Sequence, residues 1–403
     1  MSVLSGKKIL LGISGGIAAY KTATLVRLFI KAGAHVQVIM TPASKDFITP
    51  LTLSTLSKNA VYSSFYDEST DNEKWNSHVE FGLWADLMII APATANTLSK
   101  MANGICDNLL IATYLSAKCP VYFAPAMDLD MYIHPSTLES FSKLQQYGNT
   151  MIPAESGELA SGLSGEGRMS EPEHIIAFIE ADLESRLPLK GKKILITAGP
   201  TYEAIDPVRF IGNHSSGKMG FDIAQSAANL GASVLLVTGP THFTIESNLV
   251  KVIRVVSAQE MYEACHLYFD DVDVVIAAAA VADYRPKNVA SHKIKKNTAE
   301  YKIELEKTID ILASLGEIKK NQLLIGFALE TENEIENAKL KIQKKNLDLI
   351  VLNSLQDKGA GFGKLTNKIT FIDKNFVVEP MELKSKEAVA DDILNKVIAH
   401  FYA

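Results

Sequence analysis

The sequence predicts an α/β protein built as two doubly wound, Rossmann-like domains. Its 403 residues exceed what one hydrophobic core usually holds. Short buried-strand runs alternate with helical-period segments along the whole chain, the pattern of parallel sheets covered by helices. The opening Gly6-Lys7-Lys8-Ile9-Leu10 returns as Gly191-Lys192-Lys193-Ile194-Leu195, so two α/β units begin alike. The stretch 186–190, Arg-Leu-Pro-Leu-Lys, sets the boundary and gives domains 1–188 and 189–403.

Apolar content of 47% and charged content of 21% are those of an ordinary globular protein. A net charge of −6 argues against a chain that coats nucleic acid. Cys106, Cys119 and Cys265 are widely spaced and form no CxxC, which reads as a reducing compartment. There is no HExxH and no Cys/His cluster to bind a metal. Lys7-Lys8 before an apolar run imitates a signal peptide, but Lys21 and Arg27 carry a helical pattern straight on. The apolar runs 87–95 and 274–282 are far short of the ~20 residues that span a bilayer. A cytoplasmic protein without membrane segments is expected.

In the first half, residues 8–13 read as a buried strand and Ser14-Gly15-Gly16 as a tight turn. Residues 17–31 have helical periodicity closed by Gly33, and 36–40 form the next strand. GISGG is not GxGxxG, and the second strand ends in Met40-Thr41 without an acidic ribose ligand, which counts against NAD. A mononucleotide phosphate at Ser14-Gly15, or a glycine turn that merely packs helix on strand, both satisfy this motif. A strand at 86–92 runs into Ala93-Thr94-Ala95-Asn96-Thr97, small polar residues at the carboxyl end where such sheets bind ligands. A strand at 121–124 ends in PAMDLDMY, 125–132. His78, close to Glu80, precedes a helical run; a lone histidine is more often structural than catalytic. Residues 153–168, with four glycines and three serines, read as a mobile, structureless flap or a plain linker. A helix at 171–183 follows.

Together GISGGIAAYK (12–21), His78, APATANT (91–97), PAMDLDMY (125–132) and GEGRM (165–169) resemble the flavin-dependent cysteine decarboxylases, over residues 6–180. The resemblance implies a flavodoxin-like domain that binds FMN through Ser14, Gly15, Thr41, Ala93, Thr94, Ala95 and Asn96. It implies His78 as base, and a flap at about 154–169. In that family the flavin oxidises a cysteine thiol to a thioaldehyde, carboxylate is lost to give an enethiolate, and reduced flavin returns the electrons. Two positions depart from the family. Asp128 stands where an asparagine binds the departing carboxylate; an ionised Asp repels it, so Asp128 is protonated, turned away or replaced by a neighbour. Ser161 stands where pantetheine-forming members carry a proton-donating cysteine, and a hydroxyl is a far poorer acid than a thiol of pKa ~8.5. The last proton then comes from Ser161 or a water, or an enethiol is released.

In the second half, residues 190–220 pass from a strand (193–197) through Ala198-Gly199-Pro200-Thr201 and a loop carrying Asp206, Arg209 and Asn213. His214-Ser215-Ser216-Gly217 then opens a helix at 221–230. Strand, glycine turn and helix start present backbone N–H groups and a positive helix end to phosphate. Strands at 232–237, 250–256 and 272–280 continue the sheet, with a helix at 258–269. The last of these strands leads to Asp283. Alternation places Lys293 and Lys295 on one face of a strand, toward a polyphosphate or solvent. A strand at 323–328 carries Phe327, which stacks on a base or fills core. The helix 332–345 sets Ala338, Lys341 and Lys345 on one face. A strand at 348–353, a loop at 359–363, a strand at 368–373 and a helix at 384–400 close the chain.

ITAGPTYEAIDPVRFIGNHSSGKMG (196–220), AAAAVADYRP (277–286), KIKK (293–296), GFALET (326–331) and KLKIQKKNLDLI (339–350) resemble phosphopantothenate–cysteine ligase over residues 190–400. The resemblance implies a nucleotide-binding ligase domain that uses CTP, with Mg²⁺ held mainly through the CTP phosphates and no protein metal ligand singled out. Gly199, Asp283, Lys293, Asp310, Phe327, Lys341 and Lys345 are the implied nucleotide or substrate contacts. Asn213, with Arg209 and Asp206, would hold an acyl-cytidylate, and Lys293 and Asn213 would serve catalysis. The two halves together are similar to the bifunctional decarboxylase–ligases of bacterial coenzyme A synthesis. That implies 4′-phosphopantothenate, cysteine and CTP as substrates, trimeric decarboxylase units and dimeric ligase units. Two other readings stand beside it: a ligase whose first half binds flavin without chemistry, and a nicotinamide-dependent reductase, which the missing acidic ribose ligands disfavour.

Overall fold

The repeated Gly-Lys-Lys opening has the same structural role twice. Gly6 and Gly191 turn the chain at φ of 76° and 80°, a region that favours glycine. The N–H groups of Lys8 and Lys193 then donate to Asp86 Oδ2 and Asp273 Oδ2, both at 2.8 Å. Each aspartate N–H returns to the lysine carbonyl, at 2.8 and 2.9 Å. Each central strand is thereby stapled in register to the segment that leads into its neighbour.

The computed structural model describes residues 2–66, 75–159, 162–295, 302–330, 332–354 and 364–402. It divides into two compact units, Met1–Ser185 and Arg186–Ala403. Ser161, Lys296, Thr331 and the loop 359–363 lie outside the described residues.

The first unit is a parallel sheet of β1 (Lys8–Ile13), β2 (His35–Met40), β3 (Val61–Tyr62), β4 (Leu87–Ala93), β5 (Val121–Pro125) and β6 (Thr150–Met151). Their order is β3-β2-β1-β4-β5-β6. Ile9, Leu11 and Ile13 enter one core layer and Leu10 the other, so helices cover both faces. Burial of each such aliphatic side chain contributes ~1.5–3 kcal/mol. The helix expected at 17–31 is split into a 3₁₀ turn, Ile17–Lys21, and the α-helix Thr22–Lys31.

The structureless flap is corrected. Within it β7 (Glu155–Glu158) pairs antiparallel with β8 (Ser164–Arg168) as the two arms of a hairpin. The glycines that read as looseness permit close approach. A Cβ on Gly167 would lie 2.4 Å from Met127 O, and its φ is 141°. The Met127 N–H donates to Gly167 O at 3.0 Å. At the hairpin base, buried Lys21 donates to Met169 O and to Glu171 Oε1, each at 2.9 Å. Glu155 Oε1 accepts from Ser170 Oγ (2.9 Å) and the Glu171 N–H (3.1 Å), and meets His174 Nδ1 at 2.7 Å. Burial opposes ionisation of Glu155, yet His174 and these donors hold its pKa at about 2.

The second unit repeats the winding with β9 (Lys193–Ala198), β10 (Ser233–Thr238), β11 (Val250–Arg254), β12 (Val274–Ala277), β13 (Leu323–Glu330) and β14 (Leu349–Ser354). β15 (Ile369–Asp373) and β16 (Val378–Pro380) extend it antiparallel, in the order β11-β10-β9-β12-β13-β14-β15-β16. The helix Lys218–Asn229 starts directly over β9: a Cβ on Gly220 would lie 2.5 Å from Ala198 Cβ. Only glycine allows that approach.

Candidate active sites

In both sheets the order reverses beside the central strand, and a cavity opens at the carboxyl ends there, as doubly wound sheets favour. In the first unit its volume is about 530 Å³, and Gly15, Thr41, Thr94, Ala95 and Asn96 line it. Ser14 is fully buried behind it; its hydroxyl donates to Pro92 O (2.7 Å) and accepts the Thr94 N–H (3.0 Å), tying the β1 and β4 turns together. Ala93, the buried end of β4, accepts the Ala126 N–H at 3.1 Å. Thr94 precedes the helix Ala95–Asn103 without a side-chain capping bond, which leaves first-turn N–H groups for a ligand. A Cβ on Gly15 would come within 2.8 Å of Ala43 Cβ. The buried Thr41 Oγ1 has no hydrogen-bond partner among the described residues. An orphaned hydroxyl, an uncapped helix start and a glycine-tight turn fit the phosphate-bearing end of a flavin mononucleotide.

His78 is the first residue of the helix His78–Trp84 and is not in that lining. Phe65 and Trp75 meet its ring edge-on at 6.2 and 6.4 Å, and its buried Nδ1 has no partner among the described residues. Asp128 borders an adjoining cavity of about 570 Å³, between Gly16, Tyr20 and the hairpin residues Leu159 and Arg168. Its Oδ1 accepts the Leu129 N–H at 2.9 Å, so the carboxylate caps the short helix Leu129–Tyr132. An asparagine carbonyl could make the same bond. Periodicity gave no warning of Lys21, which anchors the hairpin, because its partners lie about 150 residues away.

In the second unit the cavity is about 740 Å³ and brings together Asn213, Asp283, Asp310, Phe327 and Lys345. Asn213 Nδ2 donates to Ala280 O and Val281 O, each at 3.0 Å. Lys345 Nζ lies 2.9 Å from Asp310 Oδ2, and Asp310 also caps the helix Ile311–Ile318. Burial works against it, but Lys345 and the Ala313 N–H hold Asp310 below the usual carboxylate range. Lys341 is outside this lining and pairs with Glu330 at 2.6 Å. Gly199 turns the end of β9 at φ 77°, and a Cβ on Gly217 would lie 3.2 Å from its Cα.

Lys293 corrects the expectation. No strand forms at 293–295, and Lys293 is exposed outside the cavity lining. The reason lies in the loop before it. Buried Asp206 accepts the Ile294 N–H (3.2 Å) and Arg209 donates to Ile294 O (3.2 Å), so side chains take the groups a ladder would need. Asp206 and Arg209 therefore form a loop clamp outside the cavity lining, with an ion pair of 3.4 Å. Desolvation opposes it, but the Val208, Ile294 and Arg209 N–H groups hold Asp206 below the usual carboxylate range. Among the described residues no group of three or more His, Cys, Asp or Glu is arranged to hold a metal ion, and no helix is long and apolar enough to cross a membrane.

Residues 2–184 match the Flavoprotein family, and residues 189–401 match the DNA/pantothenate metabolism flavoprotein C-terminal domain. The chain is 45% identical to the coenzyme A biosynthesis bifunctional protein CoaBC of Bacillus subtilis, over 98% of each chain. It is 44% identical to the protein of that name from Vibrio vulnificus, again over 98% of each. It is 54% identical to a cysteine/cysteine sulfinic acid decarboxylase of an unknown prokaryotic organism, over 87% of this chain and 99% of that one.

Proposed function

The chain belongs to the family of bifunctional coenzyme A biosynthesis flavoproteins, and we propose on that premise that it carries out two consecutive steps. The second unit joins 4′-phosphopantothenate to cysteine with CTP, and the first decarboxylates 4′-phosphopantothenoylcysteine to 4′-phosphopantetheine. The observation that carries the ligase reading is the single cavity on which Asn213, Asp283, Asp310, Phe327 and Lys345 converge. The acyl carboxylate attacks the nucleotide α-phosphorus and pyrophosphate leaves; the cysteine amine then attacks the acyl carbon and CMP leaves. Lys345, released from Asp310, and Lys341, released from Glu330, neutralise phosphate charge, while Phe327 stacks on the base. Asn213 orients the acyl-cytidylate. Mg²⁺ would be held mainly through the CTP phosphates and would supply charge neutralisation there. Lys293 reaches the transferring phosphate from its loop.

In the first unit, Ser14, Gly15, Thr41 and the turn 93–96 hold FMN, which supplies a two-electron acceptor for the thiol-bearing carbon. His78 takes the thiol proton at its ring nitrogen. The hairpin covers the adjoining cavity and excludes water. Asp128 positions the Leu129 turn beneath the substrate carboxyl, and the final proton comes from solvent or from Ser161. Trimeric first units, dimeric second units and a cytoplasmic setting accompany this reading.

A second reading of the first unit has support in the 54% identity to a cysteine/cysteine sulfinic acid decarboxylase and in Asp128 and Ser161. There the decarboxylated substrate is a free amino acid. One reaction separates the readings: purified protein with 4′-phosphopantothenate, cysteine, CTP and Mg²⁺, followed by mass spectrometry. Phosphopantetheine is the expected product. Phosphopantothenoylcysteine accumulating alone, with cysteine consumed to an amine, would establish the second reading instead.

A further inference from the structure

A small cavity of about 150 Å³ adjoins the ligase cavity, sharing Ala279, Ala280, Phe327 and Leu329 with it. It is well below the ~300–1,000 Å³ of a pocket that takes a whole ligand, so it suits one group of a larger molecule. Ser215, Ser216 and Gly217 form one wall, at the N-terminus of the helix Lys218–Asn229. Gly217, at a φ of 86°, has no side chain to cap that helix, and the first helical N–H, that of Lys218, reaches Ser216 Oγ at 3.4 Å. Lys386, the first residue of the helix Lys386–Tyr402, forms another wall.

Lys386 is the unusual feature. It is 7% exposed, and among the described residues its ammonium has no hydrogen-bonding or ion-pair partner. A buried lysine without a carboxylate is costly, and a cation at a helix N-terminus opposes the macrodipole. The neighbouring charges relieve it only in part, since the Asp222 carboxylate attracts it and the Lys218 ammonium repels it. Lys218 takes both Asp222 (2.8 Å) and Glu387 (2.9 Å), and Asp222 Oδ2 is left buried without a partner. Burial lowers the Lys386 pKa and raises that of Asp222. Asn367, 3% exposed, also lines the cavity; its Nδ2 donates to Asn353 Oδ1 at 3.3 Å, and its Oδ1, an acceptor, is unpartnered among the described residues. Two helix starts and a buried cation therefore border one group-sized space.

We propose that Lys386 binds a phosphoryl group of a ligase substrate in this cavity. The inference rests on the ligase reading, and the phosphoryl group belongs either to the nucleotide polyphosphate or to the phosphomonoester of the acyl substrate. Calorimetric titration of full-length wild-type and Lys386→Met protein with CTP, cytidine, 4′-phosphopantothenate and pantothenate tests it. The expected result is about tenfold or greater weakening for one phosphorylated ligand, less than about twofold change for its unphosphorylated counterpart, and recovery in Lys386→Arg. The pair affected identifies the source. Because methionine removes a desolvated charge, the ligand-free variant should melt no lower than wild type. Wild-type affinity of the variant for both phosphorylated ligands, or equal weakening with and without phosphate, overturns the inference and leaves the ligase reading standing. A wild-type protein that binds neither phosphorylated ligand removes both.

Discussion

The two units wind their first six strands in the same order, staple their central strands with the same Lys–Asp exchange, and open a cavity at the same switch point. Their linings differ in balance. Around the first cavity the turn residues Ser14, Gly15, Thr41 and Thr94 and an uncapped helix start are neutral, and one ion pair, Lys100–Asp107 at 2.6 Å, shares the lining. Around the second, Lys345 is paired with Asp310, Lys341 with Glu330 beside the site, and Lys386 in the adjoining small cavity has no hydrogen-bonding partner for its ammonium among the described residues. A neutral turn of donors suits a cofactor that stays bound, since no ion pair at that turn must break to admit it. Paired lysines suit a substrate that arrives with several negative charges and departs, because the carboxylates keep the empty site from accumulating repulsion. The fold decides where each site lies, and the side chains decide what it receives.

The sharpest way to break this division is a crossed pair of variants. His78→Asn should cut decarboxylation ~10²–10⁴-fold with ligation within about twofold. Lys345→Gln should cut ligation ~10²–10³-fold and spare decarboxylation of supplied phosphopantothenoylcysteine. Separate product assays on each preparation check both, and a crossed effect would show that the two units do not act independently.

A second test concerns how little room the neutral cradle leaves. Gly15→Val should lose visible flavin absorbance while retaining CTP binding, because a Cβ there lies 2.8 Å from Ala43 Cβ. Full flavin content in this variant would move the cofactor away from the Ser14-Gly15 turn.

The smallest expected effect is the pH response of the hairpin in the first unit. Glu155, lowered from 4.5 to about 2, contributes stability above 4.5 that is lost as pH falls toward 2. His174 is raised above 6.5 by Glu155, so its contribution is present below 6.5 and lost as pH rises through the raised value. Hydrogen-exchange protection at 155–159 and 162–168, relative to the intrinsic rate at each pH, should therefore be greatest between 4.5 and 6.5 and lower on either side. His174→Gln should remove the alkaline limb and also shrink the acid limb, because His174 helps hold Glu155 low. His174 is largely exposed, which keeps the alkaline limb shallow.

Much of the fold was legible because it is written locally. Residues 87–93 are buried at every position, and such a run bounded by turn residues reads as a central parallel strand without knowledge of its neighbours. The glycine turns after β1 and β9 were legible for the same reason. The hairpin was not. Four glycines in sixteen residues signal freedom when read along the chain, whereas Gly165 and Gly167 are small because Leu129 and the Met127 carbonyl press against them. Lys293 misled for the complementary reason: alternation suggested a strand, but Asp206 and Arg209, more than eighty residues earlier, occupy the Ile294 backbone.

What the sequence determined by itself is therefore the number of units, their α/β winding and the turns at which ligands are received. Hydrophobic period and glycine placement act between residues a few positions apart. What only the tertiary structure decided is which charges meet. Lys345 finds Asp310, Asp128 turns its carboxylate to the Leu129 N–H, and Lys386 lies buried between helix starts while the nearby Asp222 bonds to Lys218 instead. Electrostatic energy depends on separation in space and on exclusion of water, and neither quantity exists until the distant segments have packed.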